Sequence, residues 1–276
     1  MKLYALNDTV HELLSAFATN PRGSLLITGP VGSGLTTAIK YLTSSMYGRN
    51  PRVGETLILQ EGTIDAMRTL VRQVSQTRSN PTKPRLVIID DADKLTIEAQ
   101  NALLKNLEEP ANKTHFVLAT SSPGSLLGTI TSRCRVVKLR RPSEHDLREI
   151  FIDASDHDFD QAYAIADGWP GALREILESK ESTIKDQVQI SKAFLGMTAL
   201  DRQLHLRKND GKEYLSNLLE GLVRVSAAAM RSSIAKSDSA GSRKWMHIVV
   251  TTQNIRKDLH SGISQKLLAS KLSLEL

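Results

Sequence analysis

Residues 24–28, SLLIT, form a short apolar run that ends in Gly29-Pro30-Val31-Gly32-Ser33-Gly34-Leu35-Thr36-Thr37. No other stretch limits the fold so tightly. It reads as a strand, a glycine-rich turn and then a helix over 36–46, TTAIKYLTSSM. Glycines let the backbone turn sharply and aim its N–H groups at phosphate oxygens, and the helix adds its positive N-terminus. The spacing fits G-x-x-x-x-G-K-[ST] at every fixed position but one. Thr36 stands where a hydroxyl would hold Mg²⁺. Leu35 stands where a lysine would reach the β- and γ-phosphates, and leucine supplies neither charge nor donor. Phosphoryl transfer depends on positioned positive charge, and losing one such donor commonly costs roughly a hundredfold or more. The loop therefore reads in two ways: a nucleotide cradle working through its backbone, or a connecting turn.

The pattern repeats downstream. Residues 63–77 place Ile64, Met67, Leu70, Val71 and Val74 at helical intervals, and 78–84, RSNPTKP, are a breaker-rich loop. Residues 85–89, RLVII, and 115–120, HFVLAT, are continuous apolar runs, as strands covered on both faces would be. Thr96 to Glu109 read as a helix stopped by Pro110, and 136–139 as a short last strand. Strands alternating with helices predict an α/β fold, a parallel sheet with helices on both faces, with ligands bound beyond the carboxyl ends of the strands. After Pro142 the pattern turns helical. Gly168-Trp169-Pro170-Gly171 punctuates 143–182, and breaks fall near Asn209-Asp210-Gly211 and across Lys236–Ser242.

The second chemical signal is Leu86-Val87-Ile88-Ile89-Asp90-Asp91-Ala92-Asp93. A carboxylate at the end of an apolar strand orients Mg²⁺, directly or through water. That is the expectation for Asp90. Asp91 follows where a longer glutamate would position the attacking water.

Composition removes several alternatives. The 276 residues include one cysteine, Cys134, so neither an intramolecular disulfide nor a four-cysteine zinc module is possible. Cys134 reads as a buried small apolar residue rather than a nucleophile. Aromatics are 4% of the chain, too few to favour a base-stacking surface. The N-terminal MKLYALNDTVHELL has no apolar signal core, and no apolar run reaches the roughly 20 residues that span a bilayer. A cytoplasmic protein with no membrane partner is expected. The net charge is +6; residues 183–276 hold 15 Lys and Arg against 8 Asp and Glu, whereas 1–182 are balanced to within one. This basic third reads either as a contact for DNA or an acidic partner or as a solvated helical surface.

Taken together, Asp90-Asp91-Ala92-Asp93-Lys94-Leu95, Ala99 to Lys105 (AQNALLK), Leu107-Glu108-Glu109-Pro110, Leu118-Ala119-Thr120 and Ser132-Arg133-Cys134 resemble the AAA+ clamp-loader family. The resemblance covers roughly residues 10–142. Within the family the chain is most similar to delta-prime subunits of bacterial DNA polymerase III. Leu35 replaces the lysine, Pro170-Gly171 stands where a motor subunit has a sensor-2 arginine, and the chain ends soon after its helical third.

The resemblance implies an AAA+ base over 1–141, a helical lid over 142–182 and a helical oligomerisation collar over 183–276. It makes Gly29, Pro30, Gly32, Ser33, Gly34, Leu35, Thr36, Thr37, Asp90, Asp91 and Thr120 the candidate nucleotide contacts, with Thr36 and Asp90 the Mg²⁺ ligands wherever ATP binds. Thr120 falls at the sensor-1 position or is a satisfied strand-end threonine. Arg174, a helical turn past the Pro-Gly, is a displaced sensor-2 substitute. Arg133 is implied as an arginine finger acting in trans. Many relatives carry a zinc module between loop and Asp90; Arg49–Glu61 here holds no cysteine, so zinc is not implied. Implied partners are gamma/tau-like and delta-like subunits, the sliding clamp and primer–template DNA. The expectation is a subunit without intrinsic ATPase activity. The rival is a working motor-like or other DNA-associated AAA+ ATPase in which Lys40 substitutes for the missing cation.

Overall fold

The computed structural model describes residues 6–48, 51–52, 54–59, 61–75, 84–111, 113–179, 181–260 and 263–276. The loop expected over 78–84 lies outside them, Pro84 excepted. The chain divides into two compact units: 1–152 with Trp169–Gly171, and 153–168 with 172–276.

The first unit runs α1 (Asp8–Thr19), β1 (Ser24–Thr28), α2 (Leu35–Tyr47), β2 (Thr56–Ile58), α3 (Ile64–Ser75), β3 (Arg85–Ile89), α4 (Ile97–Glu108), β4 (Thr114–Thr120), α5 (Gly128–Thr131), β5 (Cys134–Lys138) and α6 (Glu144–Ile150). Among the described residues the strands form one parallel sheet in the order β2-β3-β4-β1-β5. This is the α/β sheet with helices on both faces that the alternation predicts.

Strand side chains alternate between two cores. Leu25, Ile27, Leu86, Ile88, Val117 and Ala119 pack with α1 and α2 on one face. Leu26, Val87, Ile89, Phe116 and Leu118 pack with α3 and α4 on the other. Two covered faces explain the unbroken apolar runs, since alternation in polarity needs one wet face. β2 was not legible: it is three residues long, at the sheet edge and only partly buried.

The second unit comprises α7 (Asp156–Ala166), α8 (Pro170–Glu178, whose first two residues group with the first unit), α9 (Thr183–Leu195), α10 (Ala199–Lys208), α11 (Lys212–Ala235), α12 (Ser239–His260) and α13 (Gln265–Glu275). Ser155 and Thr198 cap their helices reciprocally, each accepting from the N–H of an aspartate three residues on and donating to its carboxylate. Phe194, Leu218, Leu222, Ile255, Leu259 and Leu272 anchor the core. Buried Arg202 donates to the carbonyls of Phe194 and Leu195 at 3.0 and 2.9 Å, which satisfies the end of α9. No helix among the described residues is long and apolar enough to cross a membrane.

Gly221 makes the approach of α9 and α11 possible. A Cβ there would sit 2.2 Å from the Gln187 carbonyl oxygen and 2.3 Å from Ser191 Oγ. In an exposed helix, Gly→Ala stabilises by about 1 kcal/mol. Here the sign reverses: Gly221→Ala is expected to cost about 2 kcal/mol, because two packed backbones must separate. A melting temperature at or above wild type would contradict this.

Candidate functional site

The carboxyl ends of β1, β3 and β4 carry the predicted site. β1 leads into the glycine loop, β3 into Asp90, and β4 ends at Thr120. Gly29 donates its N–H to the Thr120 carbonyl at 3.3 Å, tying the loop to β4.

The loop has the backbone of an anion cradle. Gly32 and Gly34 adopt left-handed φ values of 83° and 94°, which a side chain would oppose. A Cβ at Gly29 would meet Ser33 Oγ at 2.5 Å and Leu139 Cβ at 3.0 Å. Ser33 is buried and closes a turn onto the Pro30 carbonyl at 2.9 Å, while Pro30 and Val31 are exposed. α2, 13 residues long, starts from Gly34 with no side-chain cap, so its first N–H groups stay available. Thr36 is exposed and Thr37 half-buried. Thr36 Oγ1 donates to Asp90 Oδ2 at 3.3 Å, which brings together the two expected Mg²⁺ ligands from positions 54 residues apart. These features fit a nucleotide held through the backbone.

Other features oppose turnover. Leu35 packs partly buried against the α1–α2 core. Lys40 is exposed five residues further on, about 7.5 Å along the helix at 1.5 Å per residue. Asp91 adopts the left-handed conformation, φ 57°, and takes Lys94 Nζ at 2.6 Å. The hydrogen bond and charge of Asp91 raise the Lys94 pKa, and both partners are solvent-exposed. Thr120 is fully buried; its hydroxyl donates to Asp93 Oδ1 at 2.8 Å and accepts from the Ser122 N–H at 3.0 Å. Gly171 lies on the loop itself: its N–H donates to the Gly32 carbonyl at 2.9 Å, and a Cβ there would meet that oxygen at 2.8 Å. Any larger residue at 171 would press on the cradle. Arg174, in the second unit, has Nε 3.4 Å from Glu178 Oε2.

Arg133 belongs to the other end of the sheet. Cys134 is in register with Ser24, the first residue of β1, whereas the loop follows Thr28, the last. Four residues at about 3.3 Å each separate the two ends by roughly 13 Å. Arg133 therefore cannot serve its own chain's loop. Its Nη2 lies 2.5 Å from Glu108 Oε1, and Nη1 donates to the Thr129 carbonyl at 2.9 Å. Cys134 is buried, and burial pushes its thiol up to about 11, which suits an inert packing residue. Among the described residues no group of three or more His, Cys, Asp or Glu is arranged to hold a metal.

The sequence reading missed Asp93, Lys94, Glu108 and Gly171 as contacts. Asp93 had a signal, the third acid of D-D-A-D. The others are ordinary surface residues or a helix start until the fold pairs them.

The sequence model of a family described as "DNA polymerase III, delta subunit" matches residues 56–143. A replication factor C small subunit of Picrophilus torridus is 24% identical over 281 residues, covering 98% of this chain and 82% of the relative. That of Methanosarcina mazei is 29% identical over 235 residues, covering 82% and 68%. A solved structure of a DNA polymerase III gamma subunit-related protein from Thermotoga maritima superposes with a TM-score of 0.53 at 20% identity, covering 96% of this chain and 99% of that one. That structural likeness shows the shared fold.

Proposed function

We propose that the chain, which is similar to the AAA+ clamp-loader family, is a non-catalytic, delta-prime-like subunit of the DNA polymerase III clamp loader. In this reading, residues 1–141 form the base, 142–182 the lid and 183–276 the collar that joins it to gamma/tau-like and delta-like subunits. The assembled loader opens a sliding clamp and sets it on primed DNA with ATP held by the neighbours. Arg133 reaches into one neighbour's nucleotide site.

One observation carries the reading: the chain's own loop lacks its cation, with Leu35 turned to the core, while Arg133 stands at the opposite end of the sheet. A planar cation on a γ-phosphate stabilises the charge that develops in phosphoryl transfer. In the chain's own pocket, ATP and Mg²⁺ would find the α2 amide groups, Thr36 and Asp90, but no lysine and an Asp91 occupied by Lys94.

The purified chain is expected to release no phosphate from ATP above a protein-free blank. The intact Thr36–Asp90 pair favours the rival, a working ATPase. Turnover that disappears in Asp90→Ala would establish that rival. Co-purification with candidate loader subunits, followed by mass measurement, tests the partnership directly.

A further inference from the structure

We propose that Glu108 parks Arg133 in a resting position, so that the arginine must leave its own chain's carboxylate before it reaches a neighbour's nucleotide. The inference rests on the trans-finger reading and adds its regulation.

Glu108 is the last residue of α4, and its carboxylate oxygen lies 2.5 Å from Arg133 Nη2. An acid at a helix C-terminus is unfavourable for the helix itself, because the terminal carbonyls there are already negative. Glu109 follows as a second acid. Helix stability therefore does not account for Glu108, whereas a cationic partner does. The guanidinium is further held by the Thr129 carbonyl at 2.9 Å and Ser132 Oγ at 3.4 Å, all within its own chain. The two side chains keep 35% and 48% of their exposure, so the pair is open to solvent and to a competing anion. A γ-phosphate carries more charge than one carboxylate and offers the fork several oxygens. Exchange from Glu108 to phosphate is thus favourable once a neighbour's nucleotide is close, and costly before. The parked fraction lowers the apparent engagement of the finger in proportion to the free fraction that remains.

The test uses the assembled loader with the cognate ATPase subunits. Glu108→Gln keeps shape and removes charge. It is expected to raise ATP turnover without DNA and clamp by about two- to fivefold, the range of an exposed ion pair. The rate with primed DNA and clamp should stay unchanged, since the finger has already transferred there. Glu108→Asp should stay close to wild type, and Glu108→Gln/Arg133→Ala should match Arg133→Ala. A melting curve confirms folding of each variant. A fall in both rates on Glu108→Gln would overturn the proposal, making Glu108 a support for the engaged finger. No change in either rate would overturn it as well. Normal turnover in Arg133→Ala would defeat the finger reading itself, a separate result.

Discussion

Arg133→Ala in the assembled loader is expected to lower ATP turnover at the site it completes by roughly a thousandfold, while assembly persists. The size follows from what a guanidinium does at a transferring phosphoryl group: it meets charge present in the transition state with a fixed, always-protonated fork. Loss of folding would not explain such a fall. The pair with Glu108 is exposed, and exposed pairs contribute about 0–1 kcal/mol to stability. Phosphate release with primed DNA, read beside size-exclusion of the complex, separates chemistry from assembly. A normal DNA-stimulated rate would end the trans-finger role. Arg133→Lys should recover only part of the loss, because an ammonium lacks the planar pair of donors.

Phe116→Ala should remove about 3–5 kcal/mol from the first unit. Phe116 is fully buried on β4, which has β3 on one side and β1 on the other. Met67, Leu103 and Leu118 share its core. A central strand cannot move inward to fill the hole without breaking two ladders, so the cavity term stays. Against a typical total of about 5–15 kcal/mol, this is a severe loss. The two tryptophans give each unit its own reporter: Trp169 groups with the first, Trp245 with the second. Urea unfolding followed by Trp169 fluorescence in a Trp245→Phe background measures it. A shift below about 1 kcal/mol would mean that the strand relaxes.

The strands that were legible are those whose residues face two cores. SLLIT and RLVII match β1 and β3 residue for residue, because both faces demand apolar side chains. β5 begins two residues earlier than its apolar letters suggest: Arg135 is exposed at the sheet edge and breaks the run while still pairing with Leu25. The meeting of Thr36 and Asp90 was legible because both motifs name a strand end, and parallel strands bring such ends together. The contacts of Asp91, Thr120 and Gly171 were not. Each depends on where a side chain or helix start arrives in space, and local periodicity carries no such information.

Besides its edges, a parallel sheet covered on both faces presents two unlike ends; on the function proposed above, one receives and the other gives. Subunits joined head to tail mate unlike surfaces, so every junction uses one chain's receiving end and the next chain's giving end. A protein with a weakened receiver and an intact giver is asymmetric in this sense. Placed in such a row, it completes a junction on one side and starts none of its own on the other. In a closed ring holding one such chain, the number of working junctions would be one fewer than the number of chains, because the two kinds of surface lie at opposite ends of the parallel sheet.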